Sequence, residues 1–197
     1  MGGRDGDRLI KPPLHSFHRW LTFLATACRL SAVKPILIAL LALSLSLPLV
    51  SGDKDKPLPK DFKSLKALAN KGDAKAQYNL GMKYANGQGV EKDFKEAFKW
   101  YGKSAEQGNA FAQTELGVMY FRGQGVEQDN AKALELFTKA AGQGDAFAQT
   151  SLGSMYYNGQ GVEQDFKEAL KWYQKAVDQG HADAQYNLGL MYLHGRG

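Results

Sequence analysis

The chain has 197 residues, room for one domain and a leader. Its net charge of +5 sits at the front: residues 1–52 carry six Lys/Arg against two Asp/Glu, whereas the chain from Asp53 onward carries 19 against 18. Balanced, intermixed charges describe a solvated surface and give no basic face for nucleic acid, and with the sole cysteine at Cys28, the region from Asp53 onward has neither a disulfide nor a thiolate metal site.

The first predicted element is the leader. Ile36 to Val50 is an apolar run behind Arg29 and Lys34. As a helix it would cover about 22 Å, short of the ~30 Å hydrocarbon core. A basic stretch, a short apolar stretch, Pro48 and then Val50-Ser51-Gly52 fit a cleaved secretory signal peptide over residues 1–52, with the mature chain starting near Asp53. An uncleaved membrane anchor is the alternative. A lipoprotein box at Ala25-Thr26-Ala27-Cys28 fits less well, because Ala25 stands where a Leu is usual and the main apolar run comes after the cysteine. The basic region ahead of the run is long, so either the leader is atypical or the true start lies downstream of Met1. Residues 53–60, charged and Pro-rich, read as a flexible linker.

From there a period of 36 residues dominates. Gly72-Asp73-Ala74-Lys75-Ala76-Gln77 returns at Gly108, Gly144 and Gly180, and Gly87-Gln88-Gly89-Val90 returns at Gly123 and Gly159. Repeats of this length build solenoids whose units bury their apolar faces against one another. Phe62, Leu65 and Ala69 stand 36 residues before Phe98, Tyr101 and Ala105, so residues 61–71 are expected to form a second-type helix capping the stack. The units are then 72–107, 108–143, 144–179 and a partial 180–197. The last stops in the turn motif at Gly195-Arg196-Gly197, which reads as a fragment of a longer array, the alternative being that something else covers that end.

Within one unit, Gly72 closes the preceding helix in a left-handed conformation and Asp73 caps the next. Ala76, Leu80 and Tyr84 share one face, with Gly81 beside them; Ala76 and Gly81 are small where a neighbouring helix must come close. The helix ends at Gly87, and Gly89 permits a tight return. Asp93 with Glu96, and Asp165 with Glu168, predict capping boxes; Asp129 has Lys132 instead and should start its helix more loosely. The second helix carries Phe94, Ala97, Phe98, Trp100, Tyr101 and Ala105, with counterparts that keep apolar character while changing identity. A buried Trp100 or Trp172 truncated to Ala should cost ~3–5 kcal/mol.

The pattern from Ala74-Lys75-Ala76-Gln77-Tyr78-Asn79-Leu80-Gly81 through Trp100-Tyr101 resembles the Sel-one-like repeat, a relative of the tetratricopeptide repeat. The resemblance covers residues ~72–197 and implies an all-α fold: antiparallel helix pairs stacked into a right-handed superhelical α/α solenoid that binds proteins or peptides. Family members are commonly adaptors, and many bacterial ones are exported. Some exported relatives pin each repeat with a disulfide; the cysteines for this are missing here.

By analogy with tetratricopeptide proteins, the inner groove is lined by the first helix of each pair, on the face away from Leu80 and Tyr84. The candidate partner-binding residues are Lys75, Tyr78, Met82 and Asn86; Phe111, Thr114, Phe121 and Arg122; Phe147, Thr150, Tyr157 and Asn158; and Tyr186 and His194. Ala85, Val118, Ser154, Asp183, Leu190 and Leu193 lie on the same face. Aromatics mixed with amide and charged groups suit a protein or peptide ligand. Phe111, Phe147 and Tyr157 would equally well pack between adjacent first helices. No cofactor, metal, nucleic acid or small-molecule substrate is expected, and a membrane only through an uncleaved leader. The rival reading is an enzyme. Against it, His181 sits at a helix-cap position beside His194 as the only other mature histidine, no nucleophile motif or carboxylate pair stands out, and Gly87-Gln88-Gly89 lies between two helices and lacks the third glycine of a phosphate loop. The expectation is an exported adaptor, periplasmic or secreted.

Overall fold

The structure, a computed structural model, describes residues 57–196. The expected signal peptide, its alternatives at Cys28 and the anchor, and the first residues of the linker lie outside the described residues. Among the described residues eight helices follow one another: α1 (Phe62–Asn70), α2 (Ala74–Asn86), α3 (Phe94–Glu106), α4 (Ala110–Arg122), α5 (Asn130–Gly142), α6 (Ala146–Asn158), α7 (Phe166–Val177) and α8 (Ala182–Leu193). Each packs on the next, most closely within the pairs α2–α3, α4–α5 and α6–α7. This is the all-α solenoid of antiparallel pairs that the repeat implies.

Glycine and the capping side chains set the helix ends. Gly72 has φ +96° after α1, and Gly87, Gly123 and Gly159 end α2, α4 and α6 in the left-handed region. Asp73, Asn109 and Asp145 accept from the backbone N–H of Ala76, Ala112 and Ala148. At the fourth position the expectation fails. His181 occupies the N-cap of α8 but makes no cap bond, because its Nδ1 lies 3.0 Å from the Thr150 hydroxyl.

The capping boxes are half made. Asp93 accepts from Lys95 and Glu96 N–H, and Asp165 from Lys167 and Glu168. The reciprocal bond is absent, since the Asp93 and Asp165 N–H groups donate to Tyr84 and Tyr156 carbonyls and the glutamates pair with Lys99 and Lys171. Asp129 accepts from Lys132 N–H, a thinner cap than the other two, and the Lys132 ammonium adds an ion pair at 3.1 Å.

Packing repeats with the sequence. The glycine on each first helix receives the ring of its own unit's second helix: a Cβ on Gly81, Gly117 or Gly153 would stand 2.6, 2.7 or 2.8 Å from Tyr101, Phe137 or Tyr173. Gly125 and Gly161 are small for a second reason besides positive φ. A Cβ there would meet the backbone of Phe94 or Asn130, the start of the preceding unit's second helix, at 2.6 Å. A buried glutamine ties three helices per unit. Gln77, Gln113 and Gln149 donate to the Ala69, Ala105 and Ala141 carbonyls of the preceding second-type helix. They accept in turn from Gln107, Gln143 and Gln179 of their own unit. Ala69 of α1 thus accepts the bond that Ala105 and Ala141 accept on α3 and α5. Leu58 and Pro59 are half-buried, and Leu58 packs on the first core cluster, so apolar packing begins inside the expected linker. Trp100 is buried and Trp172 only half-buried, which confines the large truncation cost to Trp100.

Candidate functional site

The first-type helices α2, α4, α6 and α8 carry the residues singled out for partner binding, with His194 at the C-cap of α8, and their equivalent positions recur along the stack. Phe111 and Phe147, one unit apart, are 60% and 45% exposed, and Tyr186 on α8 is 68% exposed. Large apolar rings left this open are unusual unless something covers them. They are not isolated. Phe111 lies 6.0 Å from the Tyr78 ring on the preceding first helix, and Phe147 is edge-on to the His181 ring at 6.2 Å. Lys75, Asn86, Arg122, Asn158 and His194 are exposed, while Tyr78, Met82, Phe121 and Tyr157 are half-buried.

Thr114 and Thr150 do not belong to the surface. Both are buried, each bonded to its own helix at Ala110 or Ala146 and facing the N-cap side chain of the next unit, Asp145 or His181. Short hydroxyls at this register connect successive first helices. Met82 turns toward the front of the stack, where it lines a cavity of about 260 Å³ with Leu58, Pro59 and Leu65. Tyr157 is held by Arg196, whose guanidinium donates to the phenol and lies 5.3 and 5.0 Å from the Tyr157 and Phe166 rings.

Between α4 and α6 the face opens into a cavity of about 200 Å³. Val118, Phe121, Phe137, Phe147 and Met155 make its walls, and Arg122, Ser151, Ser154 and Gln160 its polar parts. Phe137 occupies the place of Tyr101 and Tyr173 in the flanking units. In the third unit that place carries a hydroxyl, and Tyr173 shares a 2.9 Å hydrogen bond with Ser154; in the second, Phe137 lacks the hydroxyl and Val118 stands opposite.

On α4, Glu115 takes the position that Asn79, Ser151 and Asn187 take elsewhere. It is half-buried. Burial pushes its carboxyl above the ordinary 4.5, Asp145 pushes it the same way, and only Arg122 opposes them. Its charge in turn adds to burial in raising the Tyr78 and Tyr101 phenols. Sequence reasoning missed Glu115, Phe137 and Ser151. Their signal was departure from the repeat: a carboxylate at a position otherwise neutral, and a Phe where a Tyr stands on either side. Among the described residues no group of three or more His, Cys, Asp or Glu side chains converges to hold a metal ion, and no helix is long and apolar enough to cross a membrane.

Stacked helix pairs with an open aromatic strip along one set of helices define an α-solenoid. The Sel1 repeat family model matches residues 74–109, 110–145, 146–181 and 182–197, and the chain belongs to that family. The repeat is a general protein-interaction fold. Among solved structures, the chain is similar to a protective antigen of uropathogenic Escherichia coli displaying an SLR fold, with 41% identity and a TM-score of 0.67 over 69% of this chain and 30% of that one. It is also similar to a Sel1 repeat protein from Oxalobacter formigenes, with 37% identity and a TM-score of 0.64 over 68% of this chain and 55% of that one. A third is cysteine-rich protein B of Helicobacter pylori, with 27% identity and a TM-score of 0.55 over 66% and 96%. The chain thus spans less than two thirds of the length of the first two. Among curated proteins none matches.

Proposed function

We propose that this protein is an exported adaptor that binds a protein or peptide segment along its first-helix face. The observation that carries the reading is the pair Phe111 and Phe147, the same repeat position on successive first-type helices, α4 and α6, each left substantially open. Rings so placed offer anchor area at low entropic cost, and interfaces concentrate their energy in such residues. The charge pattern of the leader and its short apolar run support export, as does the resemblance to a protective antigen of a pathogenic bacterium. Envelope regulation or host contact is the setting we assign.

The test is affinity capture from the host envelope fraction with the full chain, in parallel with the F111A/F147A variant. A partner retained by the native chain and lost from a variant of unchanged helicity supports the reading; equal retention by both overturns it. The N-terminal mass of the protein made in its host tests export, with a start near Asp53 expected and an intact 36–50 segment indicating an anchor.

A further inference from the structure

The second unit departs from its neighbours in two ways: Phe137 and Val118 stand where the third unit has Tyr173 and Ser154, and Glu115 stands where the other units carry Asn or Ser. A cavity of about 200 Å³, apolar along Val118, Phe121, Phe137, Phe147 and Met155, opens on this face. A 150 Å³ apolar cavity suffices for benzene, so this one matches a single leucine- or phenylalanine-sized side chain. It exists where Phe137 and Val118 replace the hydrogen-bonded pair that the third unit forms with Tyr173 and Ser154. One unit toward the N-terminal end, Glu115 occupies on α4 the position that Ser151 occupies in the cavity wall. Asp145 adds a second negative charge near it, so two negative charges there outweigh the one positive charge of Arg122, which lines the cavity itself and disfavours a cation inside it. Charge therefore fixes the register: a ligand's positive group belongs at Glu115 and its apolar group in the cavity. Packed helices lie roughly 10 Å apart, and a chain in the extended polyproline II conformation advances ~3.1 Å per residue with three residues per turn, so residues three apart face the same surface at about that separation.

We propose that this face holds an extended peptide through two adjacent subsites, the cavity taking one large apolar side chain and Glu115 taking a Lys or Arg three residues away. This rests on the peptide-binding reading of the first-helix face and names the ligand class for it. The half-buried carboxylate, pushed toward its neutral form by its surroundings, would be restored to full charge by an incoming cation.

The test uses fluorescein-labelled octapeptides with the full chain, read by anisotropy. The probes contain Arg-Ala-Ser-Leu and, for the opposite chain direction, Leu-Ala-Ser-Arg, each with controls in which Arg becomes Gln or Leu becomes Ala. One direction should bind, and each control should bind about tenfold more weakly, the difference expected for one charge-assisted hydrogen bond or one buried side chain. E115Q should erase the Arg–Gln difference alone. V118S/F137Y, which installs the third unit's own pair and so keeps the fold, should erase the Leu–Ala difference alone. No binding in either direction, or preferences that survive both variants, would overturn the proposal. A natural partner lost from F111A/F147A but held equally by E115Q and V118S/F137Y would overturn the two subsites while leaving the first-helix face as the binding surface.

Discussion

Gln143 donates its side-chain amide to the Oε1 of Gln113 at 2.7 Å, while the Gln113 amide reaches back to the Ala105 carbonyl. One buried side chain thereby joins the end of its own unit's second helix to the end of the preceding one. The same arrangement holds at Gln149, between Ala141 and Gln179. Gln185, at the fourth position, is exposed. Removing the amide of Gln149 takes one of two donors from the Ala141 carbonyl, which keeps the Gly144 N–H, and the acceptor from the Gln179 amide, so Gln149→Ala is expected to destabilise the chain by ~0.5–1.5 kcal/mol per lost bond. Gln185→Ala should change stability by less than ~0.5 kcal/mol. Urea denaturation of the two variants checks this, and equal effects would remove the latch from the account.

Glycine substitutions should change sign along the stack. Gly117→Ala drives a methyl to 2.7 Å from the Phe137 ring, and overpacking of that kind costs ~1–3 kcal/mol. The equivalent Gly189 has nothing within 4 Å. There the gain in helix propensity is unopposed, and Gly189→Ala should stabilise by ~0.5–1 kcal/mol. Thermal unfolding of both variants separates a steric role for the repeat glycine from a conformational one.

These positions show how far the sequence could be read. The period of 36 placed the helices because a glycine or capping residue stands at nearly every end, as at Gly87 and Asp93. A close approach of a neighbouring helix at Gly81 is legible in the sequence, since a glycine on an apolar helical face points to contact; that the Tyr101 ring makes it is not. Thr114 and Thr150 escaped that logic. A threonine on a first helix looks like surface until the next unit's N-cap is placed over it, and that distance is a property of stacking, not of one unit's pattern. His181 escaped for the same reason: its ring is engaged by Thr150, so a residue at a cap position does not cap. Glu115 and Phe137 were hidden by the repeat itself, which draws attention to what recurs.

The Glu115 carboxyl gives stability a specific pH dependence. Its folded value is raised above the ordinary 4.5, by burial first and then by Asp145. Between the two values the folded state binds more proton than the unfolded one, so this group's contribution falls as pH rises from about 4.5 through the raised value. Glu115→Gln removes that penalty. The variant should match the native chain at pH 4 and exceed it at pH 7, measured by urea denaturation at both. A native chain more stable than the variant at pH 7 would show that the carboxylate is stabilised by a partner, contrary to its surroundings.

The last prediction concerns the start of α8. Asp145 bonds Ala148 N–H at 2.7 Å and also faces the Thr114 hydroxyl at 3.2 Å. His181 meets the equivalent Thr150 hydroxyl at 3.0 Å but leaves the first turn of α8 without a side-chain cap. An aspartate at 181 would serve both partners, as Asp145 does, and its negative charge would lie at the positive end of the helix. His181→Asp is therefore expected to stabilise the chain by ~0.5–2 kcal/mol, with slower amide exchange in the first turn of α8. His181→Ala should be destabilising, since it leaves the buried Thr150 hydroxyl only its bond to the Ala146 carbonyl. If both substitutions destabilise, the Thr150–His181 contact outweighs the missing cap, and the junction between the third and fourth units depends on the imidazole itself.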